Sequence, residues 1–393
     1  MIYLDNNATT RVDPAVREAM LPWLDEHYGN PSAGYRFGKE TRKALAEARE
    51  KVAALIGAHP EEIVFTSGGT ESNNAAIRSA LSYTPERSLL TTTVEHSAVF
   101  EIAESLGDDS TGLSPALNPV GSSGIPCLVE WEKSLASERY GVASMIWANN
   151  ETGVISPVAE AAEIAAEKNI YFHTDAVQAV GKIPVNVADY PIHALSLSGH
   201  KLHGPKGVGA LYLNRRSRFH PQILGGGQED NRRSGTENVP GIVGLGVAAE
   251  LAAGRLTDSE NIAALRDRFE QGVIEVVDGV EVNGADAERL PNTSNLYFSG
   301  VDGEGLLILL DEAGVCCSPG SACSTGSVKP SRIIRAMGHS SSRARSSVRF
   351  SLSRHTTEKE IDEAVGIVEK AVGKLRIVLP SGSRVISSGS RKS

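Results

Sequence analysis

Cysteine is scarce in this chain. Its 393 residues include four, Cys127, Cys316, Cys317 and Cys323. Four in a chain this long do not make a disulfide framework, and the Cys-Cys-x5-Cys spacing is not that of a zinc site, so no metal is expected. A reducing, cytoplasmic setting is the plain reading. Also missing is any run of about 18 apolar residues, which excludes an expected membrane span. The start, "MIYLDNNATT", lacks a basic segment followed by an apolar one, so no secretory leader is expected. Positive charge is in deficit: 39 Lys and Arg against 48 Asp and Glu give 39 − 48 = −9. A nucleic-acid partner would need a basic face, and none is expected.

What is present is ordinary for a soluble globular protein: 40% hydrophobic and 22% charged residues. The length is too great for one ordinary domain, so two lobes are expected. Between residues 60 and 215, short runs rich in β-branched and aromatic residues alternate with helical patterns. "EIVFTS", "SLLTTTV", "SMIWAN", "IYFHTD", "ALSLS" and "GALYLN" read as strands. "ESNNAAIRSAL" and "SPVAEAAEIAAEKN" read as helices, the second with Ser156 at the N-cap and Pro157 at N1. Upstream, Leu45, Ala48, Val52, Leu55 and Ile56 share one helical face. Strands alternating with helices predict a mostly parallel, covered sheet. The glycine-rich stretch 224–241 breaks the pattern and is expected to cross the site. A smaller α+β lobe is expected from near residue 260, and the Ser/Gly/Arg-rich tail is expected to be disordered.

Lys201, in "LSLSGHKLHGPKGVGALYL", sits where an alternating apolar run gives way to glycines. Three readings compete. It is a solvated lysine, as most are; a P-loop lysine, for which G-x-x-x-x-G-K-[ST] is missing; or a lysine that forms a Schiff base with a carbonyl cofactor. Asp175 follows the apolar residues 170–172 and should lie at a strand's carboxyl end, where ligands of open α/β sheets gather. There it either caps a turn or pairs with a pyridinium nitrogen. Gln178, three residues on, could donate to a phenolic oxygen. "VFTSGGTESNN" runs from a strand through Gly68 and Gly69 into a helix. It is either a plain turn or an anion seat, with Thr70, Ser198 and His200 adding donors.

These pieces, in this order, resemble the fold-type I enzymes of pyridoxal 5'-phosphate (PLP). "YLDNNATT", "SGGTESNN", "VEHSAV", "ANNETGV", "HTDAVQAVGK", "SGHKLHGPKGVG", "RRSGTENV", "GSACSTG" and "VRFSLSRHTTEKEID" are similar to cysteine desulfurases of the NifS/IscS type, within the class V aminotransferases. The resemblance runs from residue 2 to about 370. It implies an α/β fold: a large PLP-binding domain over 15–258 with a mostly parallel seven-stranded sheet. A small domain would comprise 1–14 and 259–375, and a tail 376–393. It further implies that Lys201 carries the cofactor and Asp175 pairs its ring nitrogen. His96 would stack on the ring and shuttle protons, with Asn150 and Gln178 at the phenolic oxygen. Gly69, Thr70, Ser198 and His200 would hold the phosphate, joined by Thr236 from a second subunit of a homodimer. Arg349 would grip the substrate carboxylate with help from Asn150, and Cys323 would take the sulfur.

Cys323 lies in "SPGSACSTGSVKPS", rich in Gly, Ser and Pro and read as a loop, whereas Cys316 and Cys317 read as buried small hydrophobes. Two positions depart from the family pattern: Tyr35 stands in a histidine's place, and Pro319 replaces a serine. The implied reaction takes L-cysteine to L-alanine and leaves a persulfide for a sulfur acceptor or iron–sulfur scaffold protein. An aminotransferase or selenocysteine lyase on the same fold is the alternative enzyme, since one fold hosts many reactions. A subunit without turnover is the alternative from another class.

Overall fold

The computed structural model describes residues 1–107, 114–319 and 330–378. Its strands, in chain order, are β1 (Ile2–Tyr3), β2 (Ile63–Thr66), β3 (Ser88–Thr92), β4 (Ala116–Asn118), β5 (Tyr140–Ser144), β6 (Tyr171–Asp175), β7 (Ala194–Ser198) and β8 (Gly209–Leu213). Then follow β9 (Val280–Val282), β10 (Thr293–Phe298), β11 (Val315–Cys316), β12 (Ser318–Pro319) and β13 (Ser347–Ser351).

Seven of them form one sheet in the order β2-β8-β7-β6-β5-β3-β4. Every pairing from β7 to β4 is parallel, and β8 alone runs antiparallel to both its neighbours. All residues of β2, β3, β5, β7 and β8 are buried, as expected of a sheet covered on both faces. His173, at the centre, touches Ser144 Oγ at 2.9 Å and Ser196 Oγ at 3.0 Å, tying three strands together. Burial pushes its imidazole pKa down to about 3, so it stays neutral in the core.

A second core surrounds the antiparallel sheet β12-β13-β10-β9 and includes the N-terminal Ile2 and Leu4. The helices Ser259–Val276, Gly303–Glu312 and Glu358–Val378 contribute its other side. Phe269 and Phe350 meet there with ring centroids 4.8 Å apart, both fully buried. Truncating either to alanine would cost about 3–5 kcal/mol. Among the described residues no single helix is long and apolar enough to cross a membrane.

Several expectations need correction. "SMIWAN" is not a strand: β5 is Tyr140–Ser144, and 145–149 leaves the sheet toward its carboxyl edge. The run is apolar because it is buried, and it still donates Met145 and Trp147 N–H groups to His173 and Asp175 carbonyls. The helix after it begins at Val158 with Pro157 as its N-cap, one residue later than expected. Ser156 N–H is engaged by the Trp147 carbonyl instead. Cys316 and Cys317 are half-buried, not core, although Cys317 packs against the second core. The final helix runs to Val378, so the first residues of the expected tail are helical. The helix Val239–Ala253 was not foreseen. It is apolar on nearly every side and lies against the helix Arg36–Leu55, so it carries no amphipathic period.

Candidate active site

The carboxyl ends of β6 and β7 lie side by side, and each ends on a polar residue: Asp175 and Ser198. A single 3-10 turn, Gly199–Lys201, then swings Lys201 over the strand ends. After β2 the chain turns at Gly68 (φ +151°) and enters the helix Gly69–Ser82. Gly209 of β8 lets that turn approach: a Cβ there would sit 2.7 Å from Gly68 Cα. The result is a cavity of about 390 Å³ at the edge where ligands of open α/β sheets bind.

Ten expected site residues line this one cavity. Gly69, Thr70, Ser198 and His200 lie at one end, and Asp175, Gln178 and Lys201 beside them. His96, Asn150 and Arg349 complete the wall. At the Gly69 end, the first N–H groups of the helix have no intrahelical acceptor, and the macrodipole favours negative charge there. A Cβ at Gly69 would lie 2.6 Å from Val177 Cγ2, so only glycine fits that cradle.

Asp175 is buried, with Oδ2 accepting from Asn73 Nδ2 at 2.7 Å and Oδ1 from Val177 N–H at 3.0 Å. Lys201 Nζ donates to the carbonyls of Asn7 (2.5 Å) and Ala8 (2.7 Å). Burial, with the Arg349 charge nearby, pulls its pKa down to about 8. The neighbouring His200 is pushed down to about 4, by burial first and then by Lys201. His96 caps the helix Ser97–Leu106, its Nδ1 accepting from Ala98 N–H at 3.1 Å. That bond fixes the tautomer and leaves the proton on Nε2. Desolvation lowers the His96 pKa against the pull of Asp175, although the ring is exposed to the open cavity.

Arg349 comes from β13 of the other core and is buried. It donates to Asp5 Oδ1 at 2.8 Å and to the Asn150 carbonyl at 2.9 Å, and its Nε has no partner among the described residues. Buried glutamates brace the two loops opposite. Glu95 accepts from Thr92 Oγ1 and Ile146 N–H, and burial raises its pKa to about 8. Glu151 accepts from Ser331 Oγ at 2.5 Å and is raised by burial to about 7. Arg332 bonds the Thr93 and Glu95 carbonyls and stacks on Phe100, 3.8 Å from the ring centroid.

One expected residue among those described is not in the cavity. Thr236 lines a separate crevice with Ser67, Gly207 and Glu229. Its segment is pinned by Arg49–Glu229 (2.6 Å) and by Arg233–Glu71 (2.9 Å), the latter in the first turn of the Gly69 helix. Cys323 lies outside the described residues. The described chain before it pairs Ser318 with Arg349, and Ser318 lines the cavity. Burial raises the Cys317 thiol well above the ordinary range, which suppresses its thiolate. Asn7, Asn73 and Val177 belong to the site but were not singled out. All three fall inside the quoted motifs, and their roles appear only as contacts with residues distant in sequence.

A helix N-terminus, a buried carboxylate and an amine of lowered basicity thus line one cavity. A family model described as "Aminotransferase class-V" matches residues 2–364. The chain belongs to the class-V aminotransferases and, within them, to the NifS-type cysteine desulfurases. A "Cysteine desulfurase 2" of Trichormus variabilis is 49% identical over 381 residues, 97% of this chain and 95% of the relative. "Cysteine desulfurase NifS" of Azotobacter vinelandii is 49% identical over 383 residues, 96% of this chain and 94% of the relative. Among solved structures, a "NIFS-LIKE PROTEIN" superposes with TM-score 0.88 at 37% identity, covering 95% of this chain and all 100% of that one. One described as "SspA in complex with cysteine" has TM-score 0.79 at 34% identity, over 91% of this chain and 100% of that one.

Proposed function

We propose that this chain is a PLP-dependent cysteine desulfurase that releases L-alanine from L-cysteine and keeps the sulfur as a persulfide on Cys323. The observation that carries the reading is the convergence of Lys201, Asp175 and the Gly69 helix terminus on one cavity that Arg349 also faces. Bound PLP supplies a carbonyl that links to amines and a ring that stores the electrons of a broken Cα–H bond. Lys201 is the residue to link it, Asp175 to keep its ring nitrogen protonated, and Gly69, Thr70, Ser198 and His200 to seat its phosphate. Asn150 and Gln178 would serve its phenolic oxygen and His96 its ring.

Arg349 binds the carboxylate of cysteine, for which a planar guanidinium held in place by Asp5 is suited. The Lys201 amine, neutral above about pH 8, takes the proton from the substrate Cα and returns one to the departing alanine. Cys323, rather than Cys317 with its suppressed thiolate, receives the sulfur. The sulfur then passes to an acceptor protein, in iron–sulfur cluster assembly or a related transfer. Thr236 serves the phosphate of a neighbouring subunit in a homodimer, a reading supported by its place outside its own chain's cavity. The two hydrophobic cores support a division into domains at 15–258, and 1–14 with 259–375.

Purified protein given L-cysteine and a reductant should release alanine and sulfide in equal amounts. Amino transfer to a keto acid, with no sulfide, would favour the aminotransferase instead.

A further inference from the structure

Lys182 stands behind this site, in an adjoining pocket that Lys201 also lines, and no carboxylate contacts it among the described residues. Lys182 is half-buried, and withdrawing an amine from water is costly unless its donors are otherwise matched. Its Nζ donates to Gln178 Oε1 at 2.6 Å and to Asn7 Oδ1 at 3.1 Å. Gln178 Nε2 donates in turn to the Asn7 carbonyl at 3.0 Å, which closes a ring of three residues. The same carbonyl receives Lys201 Nζ. Asn7 is itself fixed from the second core: its N–H donates to Ser351 Oγ and its Nδ2 to Thr293 Oγ1, both at 2.9 Å.

The ring decides which way the Gln178 amide points. A lysine amine offers N–H donors, so the amide edge facing Lys182 must be the oxygen. The NH2 edge is then left for the Asn7 carbonyl and the cavity that Gln178 lines. Without Lys182 the oxygen edge could turn toward the cavity. The two acceptors also match the two N–H groups of an uncharged amine. Burial and the Lys201 charge both push Lys182 well below the ordinary lysine range.

We propose that Lys182 is a positioning residue that acts through Gln178: it holds the amide oxygen, so that the Nε2 donor is what the cavity presents to an anionic oxygen of its ligand. The inference rests on the reading of the cavity as a PLP site. A donor on the phenolic oxygen lowers the basicity of the adjoining link to Lys201, and losing the donor raises it.

The test is a pH titration of the visible absorbance of the holoenzyme without substrate, with melting curves to check folding. Lys182→Met should raise the midpoint by about one unit, the scale of one hydrogen bond to a charged group. Gln178→Ala should raise it similarly, and the double variant should add nothing further, because both act through one donor. Lys182→Gln keeps two uncharged N–H donors and should stay near the wild-type midpoint. An unmoved midpoint in Lys182→Met, or shifts that add in the double variant, would overturn the proposal with the PLP reading intact. If Lys182→Met does not fold, Lys182→Gln against Gln178→Ala decides, and equal shifts in the two overturn it. A wild-type protein that binds PLP with no visible band would overturn the PLP reading and this inference together.

Discussion

The two halves of the cavity are built by different means. The half around Gly69, Asp175, Ser198 and Lys201 consists of residues at or just beyond the ends of strands in one sheet. Their spacing follows from the ladder of β2, β8, β7 and β6, whose hydrogen bonds are buried on both faces. The half around His96, Asn150 and Arg349 is assembled from a helix N-cap, a loop beyond β5 and a strand of the other core. Its members are held by side chains that span the two cores: Arg349 on Asp5 and Asn150, and Asn7 on Thr293 and Ser351. The first half is fixed by backbone topology, while the second depends on how the cores pack. Substitutions in the first should therefore damage cofactor chemistry, and loss of Arg349 from the second should damage substrate binding.

The largest expected effect is in the first half. Asp175→Asn puts an amide NH2 opposite Asn73 Nδ2, a clash relieved when Asn73 turns its Oδ1 inward, and removes the charge that would hold a ring nitrogen protonated. Turnover should fall by about a hundredfold to a thousandfold, with the melting curve little changed. Near-normal turnover would show that another group pairs with the ring. Next is Arg349→Gln, in the second half. Loss of the charge-assisted pair should raise KM for cysteine by about a hundredfold while PLP affinity stays within a few-fold. Equal loss of both would erase the division between the halves.

A smaller effect is expected at Gly69→Ala, where the new Cβ meets Val177 Cγ2. Such crowding costs about 1–3 kcal/mol, so PLP should bind about tenfold weaker or more. Val177→Ala in the same chain should recover most of it, as measured by fluorescence titration of the stripped protein. The smallest is a shift in pH. In the cofactor-free protein Lys201 loses its proton through about pH 8, so its reductive methylation should rise across that range. A midpoint near the ordinary lysine value would mean that the amine is better solvated than its position implies.

The difference between the halves also governs how much the sequence discloses. The order of strands and helices between 60 and 215 follows from apolar alternation and turn residues. It places Asp175, Gly69 and Lys201 at strand ends with no tertiary knowledge. The quoted motifs bring in the second half only through family resemblance. Nothing in the spacing of Asp5, Asn150 and Arg349 says that they meet, because the contact depends on two cores closing on each other. Asn7 is the clearest case: its partners Lys182, Thr293 and Ser351 are far along the chain, and a short N-terminal segment carries no period. The helix Val239–Ala253 escaped for a related reason, being apolar all round because it is packed all round.

The path of the sulfur decides whether this chain is a desulfurase. Wild-type protein mixed with L-cysteine, without reductant, should be digested and its peptides weighed. The account predicts the added mass of one sulfur atom on the peptide containing Cys323, an equal amount of alanine, and neither in the Cys323→Ser variant. Sulfur on Cys316 or Cys317, or normal alanine release by the serine variant, would contradict it.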